Sequence, residues 1–343
     1  MRISAQTDDQ GLSLARRFKH IVKRSRTVTL SAWVLKNSWF GLRARIGRGD
    51  SMRIGATHRE RALGDSLAYI DWVLGDYRRY AGLDAGAVRD KRVLEVGPGD
   101  NYGVALEMIG DGARQVIGLD RFEIWRDADQ QRAIYSAQVE RADGERRERM
   151  SAALAPSGDA FDPDRIQVTE GVAIEDAEGL LDGPVDMIIS RAVLAHAWDL
   201  DLALDRMDSM LSPGGLIAHK VDLSDHGLLT DGGHNALEFL TVSDPVWDRM
   251  RRNTGLTNRR LVNSYRGWLA AQGYEGDLLA ARVTGDEFEL DPHHWPLTAE
   301  ELERARPRIA EVRSRLLPRY ASLDEADLAC SGAFVVARKK SSS

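Results

Sequence analysis

Short strand-like runs alternate with helix-length segments along most of the chain, and this alternation is its most constraining feature. Seven runs are rich in β-branched and other apolar residues: 92–96, 115–119, 166–169, 185–190, 215–221, 278–283 and 332–337. Such alternation favours a mostly parallel sheet covered by helices on both faces. The sequence therefore predicts an α/β fold with a doubly wound, seven-stranded sheet in a domain spanning residues 62–338.

Two segments between these runs are too long and too polar to be simple crossovers between strands. Residues 122–164 are dense in Arg, Glu, Asp and Ala, and residues 222–265 form a second long connection. Both are predicted to be helical insertions that form a lid over the functional edge of the sheet. Residues 339–343 are predicted to be a disordered tail.

The net charge of −6 conceals a strong asymmetry between the N-terminal segment and the rest of the chain. The first 61 residues hold 14 Lys and Arg against 4 Asp and Glu, which leaves a net charge of −16 on the remainder. Residues 1–61 are predicted to be a basic helical extension. Its stretch 15–49 has no acidic residue and interleaves ten basic residues with apolar ones. This composition suits an anionic membrane surface, or a docking arm whose apolar face packs on the main domain.

Composition also bears on where the protein works. No charge-free stretch approaches the roughly 20 apolar residues of a membrane-spanning helix. The N-terminus lacks the pattern of a secretory signal, and Cys330 is the single cysteine, so no disulfide forms within the chain. These features predict a cytoplasmic protein, with attachment to the inner face of the membrane as the consequence if the basic extension binds lipid. The oligomeric state stays open.

The run 92–96 opens into a glycine-rich turn that continues to Gly103. Such a turn lets the backbone and a helix N-terminus approach a ligand closely. A dinucleotide-binding fingerprint would require glycine in place of Tyr102. Glu95, inside the end of the strand, suits a cationic amine rather than a pyrophosphate. Asp120, at the end of the next strand, suits both hydroxyls of a ribose.

With these motifs the chain resembles the class I S-adenosylmethionine-dependent methyltransferases. The segments 185–196 and 211–222 are similar to that family's fourth-strand motif and to its turn and fifth strand. The resemblance implies S-adenosylmethionine as cofactor, with Glu95 near its methionine amine and Asp120 on its ribose. The residues expected to contact the cofactor are Glu95, Gly97, Pro98, Gly99, Gly103, Asp120, Arg121, Phe122, Val172, Ala173, Ser190 and Arg191.

A narrower likeness concerns the segments 219–226, 237–247, 257–260 and 329–336. They are similar to a bacterial subgroup of methyltransferases associated with polysaccharide and other glycan biosynthesis. This likeness implies a glycan acceptor, whereas spacing and composition indicate no sugar. One position departs from the wider family, since Ala195 stands where many relatives have Glu.

Residues that move a proton should follow the fourth and fifth strands, because ligands of open parallel sheets lie at the carboxyl ends of the strands. His226 and then His196 are the candidate bases, with Asp222 as the carboxylate that orients them. Alternatively, His196 packs against the sheet, and Asp222, Asp225 and His226 form a turn that caps the next helix. A metal site built from these residues is the third alternative, but no further acidic ligand is evident, so no metal is predicted.

The predicted function is therefore transfer of a methyl group from S-adenosylmethionine to a hydroxyl group of a small molecule or glycan. Two alternatives remain open: an NAD-dependent oxidoreductase, and a catalytically silent methyltransferase-like module that binds a partner. Nucleic acid is disfavoured as a substrate by the acidic body of the chain.

Overall fold

A single eight-stranded sheet organises the computed structural model, which describes residues 24–45, 57–59 and 61–341. The remainder of the predicted extension, including 15–23 and 46–49, and the last two residues of the tail lie outside this range. The strands are β1 (Arg92–Val96), β2 (Gln115–Asp120), β3 (Ile166–Glu170), β4 (Val185–Arg191), β5 (Leu211–Asp222), β6 (Glu275–Val283), β7 (His293–His294) and β8 (Cys330–Arg338).

Helices flank the sheet and precede it. The helices are α1 (Arg26–Arg45), α2 (Leu63–Ala81), α3 (Ala85–Val88), α4 (Gly103–Gly110), α5 (Ala128–Arg141), α6 (Gly144–Ala153), α7 (Leu200–Met210), α8 (Asp244–Arg251), α9 (Val262–Gln272), α10 (Ala299–Val312), α11 (Pro318–Ala321) and α12 (Glu325–Ala329). Single 3₁₀ turns occur at Ile174–Asp176, Leu194–His196, Thr230–Gly232, Glu238–Thr241 and Arg313–Arg315.

The strand order is β3-β2-β1-β4-β5-β8-β6-β7. Strands β1 to β5 pair in parallel, and β8 lies antiparallel between β5 and β6. The prediction of a mostly parallel α/β sheet is confirmed, but the prediction of seven strands is wrong. The additional strand is β7, which pairs antiparallel with Leu279 and Ala280 of β6. A two-residue edge strand has too short a pattern to be recognised in a sequence.

The sheet separates two buried apolar clusters, one on each face. Neighbouring residues of β1 illustrate the division, since Leu94 belongs to one cluster and Val93 to the other. Successive side chains of a strand point to opposite faces, so a strand buried on both faces reads as a continuous apolar run. This arrangement leaves the carboxyl ends of β1, β2 and β4 meeting at one edge, where the chain can hold a ligand.

The two predicted insertions contribute little to this edge. In the first, α5 and α6 pack against α4, and only Phe122 and Ile124 line the cavity at the edge. In the second, Gly255 alone lines it. Residue Lys339 of the predicted tail pairs with the main domain, since its backbone N–H donates to the carbonyl of Gly215 (2.9 Å).

Candidate active site

A cavity of about 270 Å³ opens at the carboxyl ends of β1, β2 and β4. We call the part next to the glycine-rich turn the cofactor end and the part next to the Leu194–His196 turn the acceptor end. The predicted cofactor residues that line the cavity are Glu95, Gly97, Pro98, Gly99, Asp120, Arg121, Phe122 and Arg191. Most of the motif that suggested a cofactor therefore surrounds one cavity.

The turn after β1 requires glycine for two physical reasons. Gly97 and Gly99 have φ angles of +71° and +75°, in the left-handed region that residues with a Cβ atom rarely adopt. A Cβ atom on Gly97 would also lie 2.3 Å from Cγ2 of Val193. The Gly97 N–H donates to the carbonyl of Leu119 at 2.8 Å, which ties the turn to β2. Glycine thus allows the backbone to pass close to the ligand space.

Asp120 ends β2 and is held in the cavity wall by backbone donors. Its two carboxylate oxygens accept hydrogen bonds from the N–H groups of Phe122 (3.0 Å) and Gly99 (3.3 Å). Burial raises the pKa of Asp120, while these two hydrogen bonds act in the opposite direction. The side chain is fixed in place, and a carboxylate with acceptor capacity remaining suits the paired hydroxyls of a ribose.

Glu95 is a buried carboxyl group at the cofactor end that lacks a hydrogen-bond partner in the described part of the chain. Among the described residues, nothing donates a hydrogen bond to its buried Oε2 atom. Burial raises the pKa of Glu95 from 4.5 to about 8. A buried carboxyl group without a partner costs free energy, and a cationic ligand would remove that cost.

These residues fit S-adenosylmethionine as a set. The molecule carries an amine that would complete the hydrogen bonding of Glu95 and a ribose that would meet Asp120. Leu119, Phe122 and Ile124 line the same cavity and would give its adenine ring an apolar surface. The fit rests chiefly on the orphaned Oε2 atom of Glu95, which has no evident structural use.

His196 lines the acceptor end of the cavity, at the end of the turn that follows β4. Its Nδ1 atom lies 2.7 Å from the carbonyl oxygen of Gly255. A carbonyl oxygen only accepts, so Nδ1 carries the proton and Nε2 carries the lone pair. Burial, then the neighbouring His226, lowers the pKa of His196 to about 4, while Gly255 and Asp222 act in the opposite direction. His196 is therefore neutral near pH 7.

His226 and Asp222 lie close to His196 without lining the cavity. The two imidazole rings are 4.8 Å apart between centroids and tilted by 47°. Asp222 accepts a hydrogen bond from the Ser224 N–H (2.9 Å) and pairs with Arg282. Burial tends to raise the pKa of Asp222, but Arg282 and His226 hold it below its ordinary value. The three predicted catalytic residues thus form one group at this end, and their roles stay predictions.

The predicted turn at Asp225 is present. The Asp225 carboxylate accepts hydrogen bonds from the N–H groups of Gly227, Leu229 and Thr230 at 2.7 to 3.0 Å. His226 follows within this turn with a φ angle of +49° and an exposed side chain. The hydrogen bonds of Asp225 therefore stabilise the turn that places His226 beside His196.

Four of the predicted cofactor residues lie outside the cavity lining. Ser190 faces the other way along β4 from Arg191, and its hydroxyl lies 2.8 Å from Nδ1 of His219. Gly103 starts α4, where a Cβ atom would lie 2.3 Å from Ile70. Val172 packs against the core, and Ala173 likewise does not line the cavity. The next two residues along, Ile174 and Glu175, line it instead.

A short segment before α2 closes one side of the cofactor end, and no sequence pattern indicated it. Thr57 and His58 line the cavity. The Asp100 carboxylate, in the glycine-rich turn, accepts hydrogen bonds from the N–H groups of Thr57 (2.9 Å), His58 (2.9 Å) and Arg59 (3.0 Å). Asp100 thus joins the turn to a segment more than 40 residues earlier. In the sequence, the contact is indicated only by the presence of an Asp within the turn. Asp is common in ordinary turns, so its presence does not predict a contact with a distant segment.

Within the described ranges, no group of three or more His, Cys, Asp or Glu side chains is placed to hold a metal ion.

Comparison with known proteins identifies the family. Residues 69–278, more than half of the chain, match the model of a methyltransferase domain. The chain belongs to this methyltransferase family, and the family together with the cavity residues identifies S-adenosylmethionine as its cofactor. The reaction class is methyl transfer, and the family match names no acceptor.

The solved structures that the chain matches are distant from it in sequence. The chain is similar to the CurJ carbon methyltransferase (13% identity, TM-score 0.40, covering 97% of this chain and 72% of that one). It is also similar to a Haemonchus contortus phosphoethanolamine N-methyltransferase (16% identity, TM-score 0.38, covering 79% of this chain and 52% of that one). A third similar structure is an S-adenosylmethionine-dependent methyltransferase from Mesorhizobium loti (15% identity, TM-score 0.36, covering 81% of this chain and 100% of that one). These likenesses are too remote to indicate a substrate. No curated protein matches the chain significantly.

Proposed function

We propose that this methyltransferase transfers the methyl group of S-adenosylmethionine to a hydroxyl group of a small-molecule or glycan acceptor. The observation that carries the proposal is His196, an imidazole in the cavity wall whose Nδ1–H is engaged by the Gly255 carbonyl at 2.7 Å. A hydroxyl group must lose its proton when it is methylated, and the lone pair on a neutral imidazole nitrogen can take that proton. An acceptor that carries no proton at the attacking atom would not need this side chain.

The residues of the chain have two tasks in this reaction. Bound in the cavity, the cofactor supplies an electrophilic methyl group on its sulfonium. The glycine-rich turn and Asp120 hold one reactant, and the acceptor end holds the other in line with it. Nε2 of His196 takes the hydroxyl proton, while the hydrogen bond from Nδ1–H to Gly255 keeps the ring in the required tautomer.

This assignment reverses the order in which the sequence ranked the two histidines. His196 lines the cavity, whereas His226 does not line it and is exposed. We assign His226 a supporting role, because its contact with His196 adds to the low pKa of that group. Asp222 acts in the opposite direction, since a nearby negative charge favours a protonated His196.

The choice of a glycan among hydroxyl acceptors rests on the likeness of residues 219–226, 237–247 and 257–260 to glycan-associated methyltransferases. His226 belongs to the first of these segments and contacts His196, the candidate base. One of these segments therefore lies beside the acceptor end of the cavity. A small hydroxylated molecule uses the same chemistry. The proposal covers both acceptors, and the nature of the product separates them.

The test is transfer of a labelled methyl group to defined acceptors. The full chain is incubated with methyl-labelled S-adenosylmethionine and a panel of monosaccharides, oligosaccharides, phenols and amines. The proposal predicts labelled methyl ethers, identified by mass spectrometry. Transfer to amines or carbon alone would contradict it. Tight binding of the cofactor without transfer to any acceptor would favour the catalytically silent module instead.

A further inference from the structure

Helix α1 is apolar on two opposite faces, and only one of them is used within the chain. Leu30, Trp33 and Val34 lie on the face that packs against the body of the protein. Asn37 fixes the same face, because its side-chain oxygen accepts a hydrogen bond from the Asn253 N–H at 2.6 Å. Arg26 adds an ion pair with Glu238 at 2.9 Å. These contacts support the docking-arm interpretation for this part of the extension.

The opposite face of α1 carries a continuous exposed apolar stripe. Leu35, Trp39, Leu42 and Val28 are 70%, 57%, 52% and 46% exposed, respectively. Their spacings of seven, four and three residues place all four on one side of a helix. Scattered exposed apolar residues are normal in proteins, but four large ones in a row on one helix face mark an interaction surface.

Cationic residues accompany the stripe. Lys36 is exposed on α1, Arg24 is exposed two residues before the helix begins, and the sequence from 15 to 49 contains no acidic residue. The remaining chain after residue 61 has a net charge of −16. An anionic surface would therefore attract this helix and repel the acidic body of the protein. This difference favours an orientation in which α1 faces the anionic surface.

We propose that the exposed face of α1 binds the surface of an anionic lipid bilayer, with Leu35, Trp39 and Leu42 inserted at the level of the headgroups. Leucine and tryptophan are the side chains that favour this interfacial layer, and basic residues on the same helix reinforce binding to anionic lipids. Within the described residues, no helix is long and apolar enough to cross a membrane. The helix thus lies on the bilayer and holds the methyltransferase domain beside it.

Two other occupants fit this face less well. A second copy of the chain would bring the basic residues of two α1 helices against each other, which costs electrostatic free energy. A nucleic acid would be attracted by the positive charges of Arg24 and Lys36 but would leave the side chains of Leu35 and Leu42 without an apolar partner. An anionic bilayer accommodates both the charge and the apolar stripe.

The test is flotation of the full chain with lipid vesicles. Vesicles of phosphatidylcholine alone are compared with vesicles that contain about 30% phosphatidylserine, at low salt and at about 0.5 M salt. The double substitution Leu35→Ser/Trp39→Ser changes two exposed side chains and should leave the fold intact. Phe288→Ser is the matched control, since Phe288 is 80% exposed elsewhere on the molecule. Cofactor affinity and the unfolding temperature confirm that each variant is folded.

We expect the wild type and Phe288→Ser to float with anionic vesicles at low salt. The double variant should bind at least about tenfold more weakly, and high salt should reduce binding of all forms. Failure of the wild type to float, equal flotation of the double variant, or equal loss in the control would overturn the proposal. A wild-type dimer in light scattering that the double variant abolishes, without vesicle binding, would assign the face to a second copy instead.

Discussion

At the cofactor end of the cavity, Glu95, the turn 97–99 and Asp120 come from two adjacent strands that are consecutive along the chain. At the acceptor end, His196 is held by the carbonyl of Gly255, 59 residues further along, and touches His226 from a third segment. The cofactor end keeps the carboxyl group of Glu95 buried without a hydrogen-bond partner among the described residues, whereas the acceptor end keeps His196 neutral. The cofactor end therefore suits a cationic group, and the acceptor end presents an unprotonated imidazole nitrogen near neutral pH.

The largest expected effect concerns the acceptor end. His196→Ala should lower turnover by about 10²–10⁴-fold, because a general base contributes this much. Cofactor affinity should change little if the two ends work separately. Burial lowers the pKa of His196 to about 4, and a base works only when it is deprotonated. Wild-type activity should therefore fall as the pH decreases towards 4, and the variant should lose this acidic limb.

The control for this experiment is a histidine remote from the cavity. His294→Ala removes an exposed imidazole from the edge strand β7 and should leave turnover and its pH profile unchanged. If His196→Ala instead lowers only the unfolding temperature and keeps near-wild-type turnover, the side chain is structural. His226→Ala then becomes the next variant to measure.

A second prediction concerns the unpaired carboxyl group at the cofactor end. Because burial raises the pKa of Glu95 to about 8, the group is mostly protonated at neutral pH before the cofactor binds. Pairing with the amine requires the ionised form, so binding should release a proton below about pH 8. Affinity should weaken by up to about tenfold for each pH unit from 8 towards 6. Glu95→Gln should remove most of this dependence.

Calorimetry in two buffers with different ionisation enthalpies measures the proton release directly. At pH 7 the wild type should release close to one proton per cofactor bound, and Glu95→Gln should release fewer. Identical proton release in the two proteins would show that Glu95 does not pair with the amine of the cofactor. The interpretation of the cofactor end as a site for a cationic group would then be wrong.

The third prediction concerns the ribose carboxylate. Asp120→Ala removes a fixed acceptor for two hydroxyl groups and should weaken binding of S-adenosylmethionine by at least about tenfold. Asp186→Ala is a suitable control, because that carboxylate accepts a hydrogen bond from the Arg92 N–H (2.8 Å) at the opposite end of the strands. Unchanged affinity of Asp120→Ala in calorimetry would refute the assignment of Asp120 to the ribose.

The contrast between the two ends explains how far the sequence could predict the site. The strand, the turn and Asp120 are local features, and each has a pattern that fixes its place in a parallel sheet. Eight predicted cofactor residues accordingly line the cavity. Ser190 was predicted together with Arg191 but does not line the cavity, because adjacent strand residues point to opposite faces and the Ser190 hydroxyl meets His219 within the sheet.

Contacts between segments that are distant along the chain have no recognisable pattern in the sequence. The hydrogen bond from His196 to Gly255 depends on how a long connection folds back over the sheet. The two-residue strand β7 and the segment at Thr57 and His58 are equally short and have no periodicity of their own. The overall sheet could be predicted because seven strands repeat one pattern, while these details arise only from tertiary packing.

The smallest expected effect tests whether the segment at Thr57 and His58 belongs to the cofactor end. Asp100→Ala removes the acceptor of three backbone hydrogen bonds and should release this segment from the glycine-rich turn. Because the segment covers only one side of the cavity, affinity for S-adenosylmethionine should fall by about three- to tenfold, with turnover at saturating cofactor preserved. Asp84→Ala is the matched control, since Asp84 accepts a hydrogen bond from the Ala87 N–H at the start of α3, a residue that does not line the cavity. Equal affinities of Asp100→Ala and the wild type would show that the segment only covers the turn, and the cofactor end would then consist of the two strands alone.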